Sequence, residues 1–194
     1  KMIHLLESEN ETQKQLEESM ALLKENNIHL DTISKRDELT GVYNRRGFMT
    51  VANELLKDKT NVGKYVLTAY ADTDNLKIIN DRYGHDEGDF ALVSSSDILR
   101  NAFEEKGIIG RIGGDEFAVF KIIPCISDGI RIKNQLRSIL EDINDTSGKP
   151  FEVSMSVGVY EFTISKNCEL KELIKEADSR LYVDKGNKKP FVQR

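Results

Sequence analysis

Cysteine is scarce in this sequence. Cys125 and Cys168 stand apart, with neither a C-x-x-C pair nor a repeating spacing, so the expectation is two plain thiols in a reducing compartment. Histidine is as sparse: His4, His29 and His85 are too scattered for a zinc set. Basic residues are outnumbered, 28 Lys and Arg against 33 Asp and Glu, for a net charge of −5. That argues against a general nucleic-acid or anionic-membrane binder, whose sequence-independent attraction needs excess Lys and Arg. It leaves room for a phosphate-bearing ligand neutralised by bound cations and a few local basic residues. No apolar run reaches the length of a membrane span, and the N-terminus lacks the apolar stretch of a signal peptide. A cytoplasmic location is therefore expected. The strings G-x-x-x-x-G-K-S/T and G-x-G-x-x-G are both missing, which removes a P-loop and a dinucleotide-binding turn.

What is present suits one ordinary domain and an appendage: 194 residues, 39% apolar and 31% charged. Residues 1–36 contain no Gly or Pro and are rich in Glu, Lys, Gln and Leu. Steps of four and three residues pick out Met2, Leu6, Glu9, Gln13, Leu16, Met20, Leu23, Asn27 and Leu30. Six of these nine are apolar, the seam of an N-terminal coiled-coil helix weakened near Glu9 and Gln13, with Asn27 available to fix register. The alternative is a single solvated helix. Because the chain starts on Lys1 inside this pattern, an upstream sensory domain is expected, and the full-length protein could be membrane-tethered.

From Asp37 the character changes, and residues 37–194 are expected to form the second domain. The patterns predict a helix over 46–57, a turn over 58–63, and a strand over 64–71 ending at Asp72. A helix over 75–83, a turn over 84–88 and an amphipathic helix over 89–103 follow. The run 107–112, two glycines, and the run 117–123 read as a hairpin. Then come a helix over 127–144 with Ser127 as its cap and Ile130, Leu136, Ile139, Leu140 and Ile143 as its apolar residues, and an alternating half-buried strand over 151–160. A closing helix covers 169–185, with Leu170, Leu173, Ile174, Ala177 and Leu181 inward. The fold expected is an α+β sandwich, sheet on one side and helices on the other.

The run Arg111-Ile112-Gly113-Gly114-Asp115-Glu116-Phe117 carries most of the functional signal. A glycine hairpin tip lets another molecule approach the backbone while acidic groups point at it. A second acidic cluster, Asp72-Thr73-Asp74, ends the strand before it. Carboxylates at the ends of two neighbouring strands suit hard cations, which take oxygen ligands, keep several waters and bind substrate phosphates. Asp72-x-Asp74 does not open a calcium loop, because the sixth place is Lys77 and the twelfth Tyr83. On spacing alone, a metal–nucleotide site and an acidic surface hairpin both stay open.

Longer strings decide more. Asp37-Glu38-Leu39-Thr40-Gly41-Val42-Tyr43-Asn44-Arg45-Arg46 is followed by Asp72-Thr73-Asp74-Asn75-Leu76-Lys77-Ile78-Ile79-Asn80-Asp81, then Tyr83-Gly84-His85-Asp86-Glu87-Gly88-Asp89. Gly113-Gly114-Asp115-Glu116-Phe117, Ser156-Val157-Gly158, and Ala177-Asp178 through Leu181-Tyr182 to Lys185 complete the series. In this order they closely resemble the GGDEF family of diguanylate cyclases, over about residues 37 to 185. The resemblance implies a five-stranded, mostly antiparallel sheet flanked by helices, akin to nucleotidyl cyclase and polymerase palm domains. It also implies the reaction: two GTP become cyclic di-GMP and two pyrophosphates, with two Mg2+ or Mn2+ per half-site. On this resemblance Asp72, the Thr73 carbonyl and Asp115 would hold the metals, Asp115 would help deprotonate the ribose 3′-hydroxyl, and Glu116 would support the metal shell. Asn75, Leu76, Lys77, Gly114 and Lys185 would cradle the phosphates. Asn80 and Asp89 match the guanine readers: a carboxylate can accept from guanine N1–H and the exocyclic amine, neither of which adenine offers there.

The departures are specific. The family's Arg-x-x-Asp product-inhibition motif falls on Glu104 and Gly107, so feedback through that site is not expected. Leu76 stands where Phe is usual. After Lys185 the usual Gly-Arg-Asn is Gly186-Asn187-Lys188-Lys189, which replaces a bidentate Arg by point charges. Since each half-site holds one GTP, two domains must face each other, and the N-terminal helix would set that homodimer. A GGDEF module that binds GTP or serves as a scaffold without turnover is the alternative function. No nucleic-acid partner is expected.

Overall fold

The computed structural model describes residues 35–103 and 107–185, with side chains as far as 183, together with residues 14, 19 and 20. The chain divides into two units, Lys1–Arg36 and Asp37–Arg194. The coiled-coil seam lies outside the described residues except for Met20, which is exposed. Glu104 and residues 186–189 also lie outside them.

The second unit opens with a two-residue strand, β1 (Tyr43–Asn44), and helix α1 (Arg45–Lys57). Asn44 caps that helix, its side-chain oxygen accepting from the Gly47 N–H at 2.9 Å. After a short 3-10 turn (Lys59–Asn61) come β2 (Tyr65–Thr73), α2 (Leu76–Tyr83) and α3 (His85–Phe103). The hairpin strands are β3 (Ile108–Arg111) and β4 (Glu116–Ile123). Helix α4 (Asp128–Thr146), strand β5 (Met155–Thr163) and helix α5 (Leu170–Lys185) complete the unit.

The five strands form one sheet in the order β1-β3-β4-β2-β5, antiparallel except for the β1–β3 pair. Helices cover both faces rather than one, correcting the two-layer expectation. Alternation along the strands explains why. Leu67, Ala69 and Ala71 of β2 and Phe117 and Val119 of β4 join the core under α3 and α4. Val66 of β2 and Ala118 and Phe120 of β4 join a second core with Phe48 and Ala52 of α1 and Leu170 and Leu173 of α5. Buried on both sides, β5 is not the half-buried strand expected, and it begins at Met155, leaving Phe151 and Val153 as buried residues ahead of it.

Three further differences have local causes. Ser127 flanks α4 but does not cap it; with φ 100° it makes no capping bond, and Glu161 of β5 accepts from the Ser127 and Gly129 N–H groups instead. Ile130 projects outward at 70% exposure, while Ile132 and Leu136 carry the buried face of α4. Helix α3 starts at His85, so the glycine-flanked segment expected as a turn is its first turn.

Candidate active site at the ends of β2 and β4

Strand β2 runs through Asp72, where its end was expected, and on to Thr73, and these two residues organise the site. Asp72 lies directly opposite Glu116 of β4 and, on its other side, Ser156 of β5. Directly opposite residues project to the same face of a sheet, so Asp72 and Glu116 stand side by side on that face. One step on, the Thr73 N–H donates to the Asp115 carbonyl at 2.9 Å, tying the acidic turn to the end of β2. Thr73 is buried, and its hydroxyl bonds Ser95 of α3 at 2.9 Å. The structure thus brings Asp72, Thr73, Asp115 and Glu116 together, with Glu116 as the direct partner of Asp72.

Asp74 does different work. Its two carboxylate oxygens accept from the Ser156 hydroxyl at 2.6 Å and the Ser154 hydroxyl at 2.7 Å, and its N–H donates to the Ser154 carbonyl. These bonds fasten the strand end to β5 just before Asn75 turns into the left-handed region at φ 60° and opens α2. Leu76 begins that helix, partly buried against the core, and Lys77 is exposed beside it.

Asn80 lies against Gly88, the residue before Asp89. The Asn80 amide lies over Gly88, where a Cβ would collide with its oxygen, so glycine at that place leaves the amide its position. Asp89 is exposed on the next position. With α3 starting at His85, Asp86 and Glu87 occupy its first turn and Asp89 lies just beyond it. Gly114 is exposed, and a Cβ there would meet no protein atom within 4 Å. Lys185 ends α5, and its side chain lies outside the described residues.

Three contributors went unread in the sequence. Arg111 donates through Nε and Nη2 to the Gly114 carbonyl at 3.1 and 2.7 Å, and through Nη1 to the Asp37 carboxylate at 3.3 and 3.4 Å. Asp37 also accepts from the Thr40 N–H and hydroxyl at 2.9 and 2.7 Å. Burial opposes the charge on Asp37, yet the Thr40 hydrogen bonds and the Arg111 guanidinium outweigh it and hold the carboxyl below its ordinary pKa. Tyr70, the third, is the diagonal neighbour of Glu116 across the β2–β4 pair, and its hydroxyl is pushed up to about 12 by burial and then by the Glu116 and Asp178 charges. The only signal for Arg111 and Asp37 was their opposite charge within two of the quoted strings; for Tyr70 it was its place two residues before Asp72 on a strand.

Among the described residues, no three His, Cys, Asp or Glu side chains are grouped to hold a metal. A cation here would take the carboxylate pair and backbone oxygen, then waters and substrate phosphates, an oxygen-only set that fits magnesium or manganese.

The family model for the diguanylate cyclase GGDEF domain matches residues 34–190, and the chain belongs to that family. It is 30% identical over 162 residues to the probable diguanylate cyclase DgcJ of Escherichia coli, an alignment covering 84% of this chain and 31% of DgcJ. With the diguanylate cyclase TpbB of Pseudomonas aeruginosa it shares 30% identity over 174 residues, 88% of this chain and 40% of TpbB. The chain therefore spans a third to two fifths of these relatives. Among solved structures, the P. aeruginosa diguanylate cyclase SiaD, in complex with its activator SiaC, superposes with a TM-score of 0.72 at 26% identity, covering 93% of this chain and 69% of that one. Among the described residues no helix is long and apolar enough to cross a membrane.

Proposed function

We propose that this domain condenses two GTP into cyclic di-GMP, releasing two pyrophosphates, when two copies face each other. The observation that carries the reading is the pairing of Asp72 with Glu116, with Asp115 tethered one step away through Thr73. Asp72, the Thr73 carbonyl, Asp115 and Glu116 would hold two divalent cations, which supply Lewis acidity at the phosphates when bound. The remaining steps belong to the chain. Asp115 accepts the proton as the ribose 3′-oxygen attacks the partner nucleotide's α-phosphorus; one P–O bond forms and the bond to pyrophosphate breaks. The backbone of Asn75 to Lys77 and the Lys77 and Lys185 ammonium groups receive the β- and γ-phosphates and stabilise the departing charge. Gly114 leaves room for the nucleotide, and Asn80 and Asp89 read guanine. Because the bond joins nucleotides held by different copies, encounter sets the rate, and the N-terminal helix would raise it by holding the dimer.

The test is direct. Purified protein is incubated with GTP and magnesium or manganese, and the products are identified by mass. Cyclic di-GMP should form, with turnover per protein falling on dilution. Asp115→Ala should lose at least about a hundredfold, roughly 2.7 kcal/mol of barrier. A folded wild-type protein that binds GTP and makes no product is a scaffold, and the reading fails.

A further inference from the structure

The end of the sheet away from the acidic pair carries a recess of opposite charge. Strand β5 meets Thr73 of β2 at Met155 and Tyr65 at Thr163, so the loop after β5 leaves the sheet at the end opposite Asp72. The nine-residue length of β2 puts roughly 25 Å between the two ends. There the end of α1, the loop over 164–169 and the start of α5 enclose a cavity of about 400 Å³. That volume lies in the range of small-molecule sites.

Charge sets the character of this lining. Lys57 closes α1, Lys166 lies in the loop and Lys171 is in the first turn of α5. Against these three ammonium groups, Glu169 is the one carboxylate among the described residues that line the cavity. None of the three lysines has an ion-pair partner among the described residues. In a chain of net charge −5, that is a local reversal of sign. Asn53 and Asn167 add carboxamides that both donate and accept, and Leu170 is buried, so the recess offers little to an apolar ligand.

The walls are braced. The Ile164 N–H donates to the Lys64 carbonyl and the Ile164 carbonyl accepts from the Gly63 N–H, both at 2.9 Å, seating the loop on the segment after α1. The Asn61 amide ties that segment back to the Leu55 carbonyl of α1 at 2.9 Å. Within the loop the Ser165 N–H donates to Cys168 Sγ at 3.3 Å, which holds the thiol in the cavity wall.

We propose that this recess binds a phosphorylated small molecule of nucleotide size, its phosphates among Lys57, Lys166 and Lys171 and its remainder against Asn53 and Asn167. Lysine serves phosphate as a point charge, and the start of α5 adds a field that favours an anion. The recess is separate from the site proposed for the substrate, so each reading stands or falls alone.

The test titrates the full chain with ATP by calorimetry, with divalent cations chelated. ATP carries the phosphates without the base groups assigned to Asn80 and Asp89. Binding should saturate, weaken as salt rises and be absent with adenosine. The three lysines are exposed, so their replacement should leave the fold intact. Lys57→Gln, Lys166→Gln and Lys171→Gln should each weaken ATP binding about threefold to fivefold, and the triple variant about 30- to 100-fold. Bound ATP should also slow alkylation of Cys168 by iodoacetamide, while Cys125, exposed and outside the cavity, reacts at an unchanged rate. If the triple variant does not fold, that protection in the wild-type chain decides. Absence of saturable binding, equal binding of adenosine, affinity that survives the triple replacement, or Cys168 unprotected at saturation would each overturn the site. Loss of ATP binding in Lys77→Gln with the cavity lysines indifferent would place the nucleotide at the other end of the sheet and overturn it too.

Discussion

Asp37 meets three partners at once: the Thr40 N–H, the Thr40 hydroxyl and the Arg111 guanidinium that grips Gly114. Charged hydrogen bonds at a mostly covered group favour the ionised form, so this carboxyl titrates below its unfolded value of about 3.9. The sign follows. Its stabilisation is present above the unfolded pKa and is lost as pH falls through the lower folded value. Asp37→Asn should cost about 1–2 kcal/mol near neutrality, read from urea melts, and the gap from wild type should narrow as pH falls below the unfolded value and through the lower folded one. A gap of constant size into acid would contradict this. Single residues were the most legible part of the sequence: the strings around Asp72 and Asp115 named residues that strand pairing brings to one end of the sheet. The contact of Asp37 with Arg111 and the placing of Tyr70 diagonal to Glu116 were not legible, because they join residues 74 and 46 positions apart that only the folded chain makes neighbours.

Elements were readable where one period ruled and blurred where tertiary packing set the end. Alternation located β2, yet the strand runs on through Asp72 and Thr73 because β4 and β5 pair with it to that point. Polar residues of a strand end look like loop until their partners are known. The helix over 127–144 was visible, but its cap comes from Glu161 on a later strand, which no local pattern announces. Two-sided burial was equally hidden, since a strand of small and apolar residues reads alike under one layer or two. The α5–β5 contact makes this testable. Gly158→Ala would force a methyl into the α5 backbone, an overpacking cost of about 1–3 kcal/mol, so the melting temperature should drop by about 2–4 °C for each kcal/mol. An unchanged melting temperature would show that α5 can lift away freely.

The whole domain sets the helices α1 and α5 against one face of the sheet and α3 and α4 against the other, and the proposed site lies at the paired ends of β2 and β4. The five-stranded, mostly antiparallel sheet and the family followed from motif order, while the strand order did not; spacing alone left an acidic surface hairpin equally open. What separates those two readings is whether the Asp72–Glu116 pair, with Asp115 beside it, receives cations over a nucleotide. Crystals grown with α,β-methylene GTP and manganese, measured at the manganese absorption edge, give the answer most directly. Anomalous peaks should stand between the Asp72 and Glu116 carboxylates, against the phosphates, with guanine at Asn80 and Asp89. Nucleotide bound elsewhere, or bound here with no peak among these carboxylates, would contradict the account.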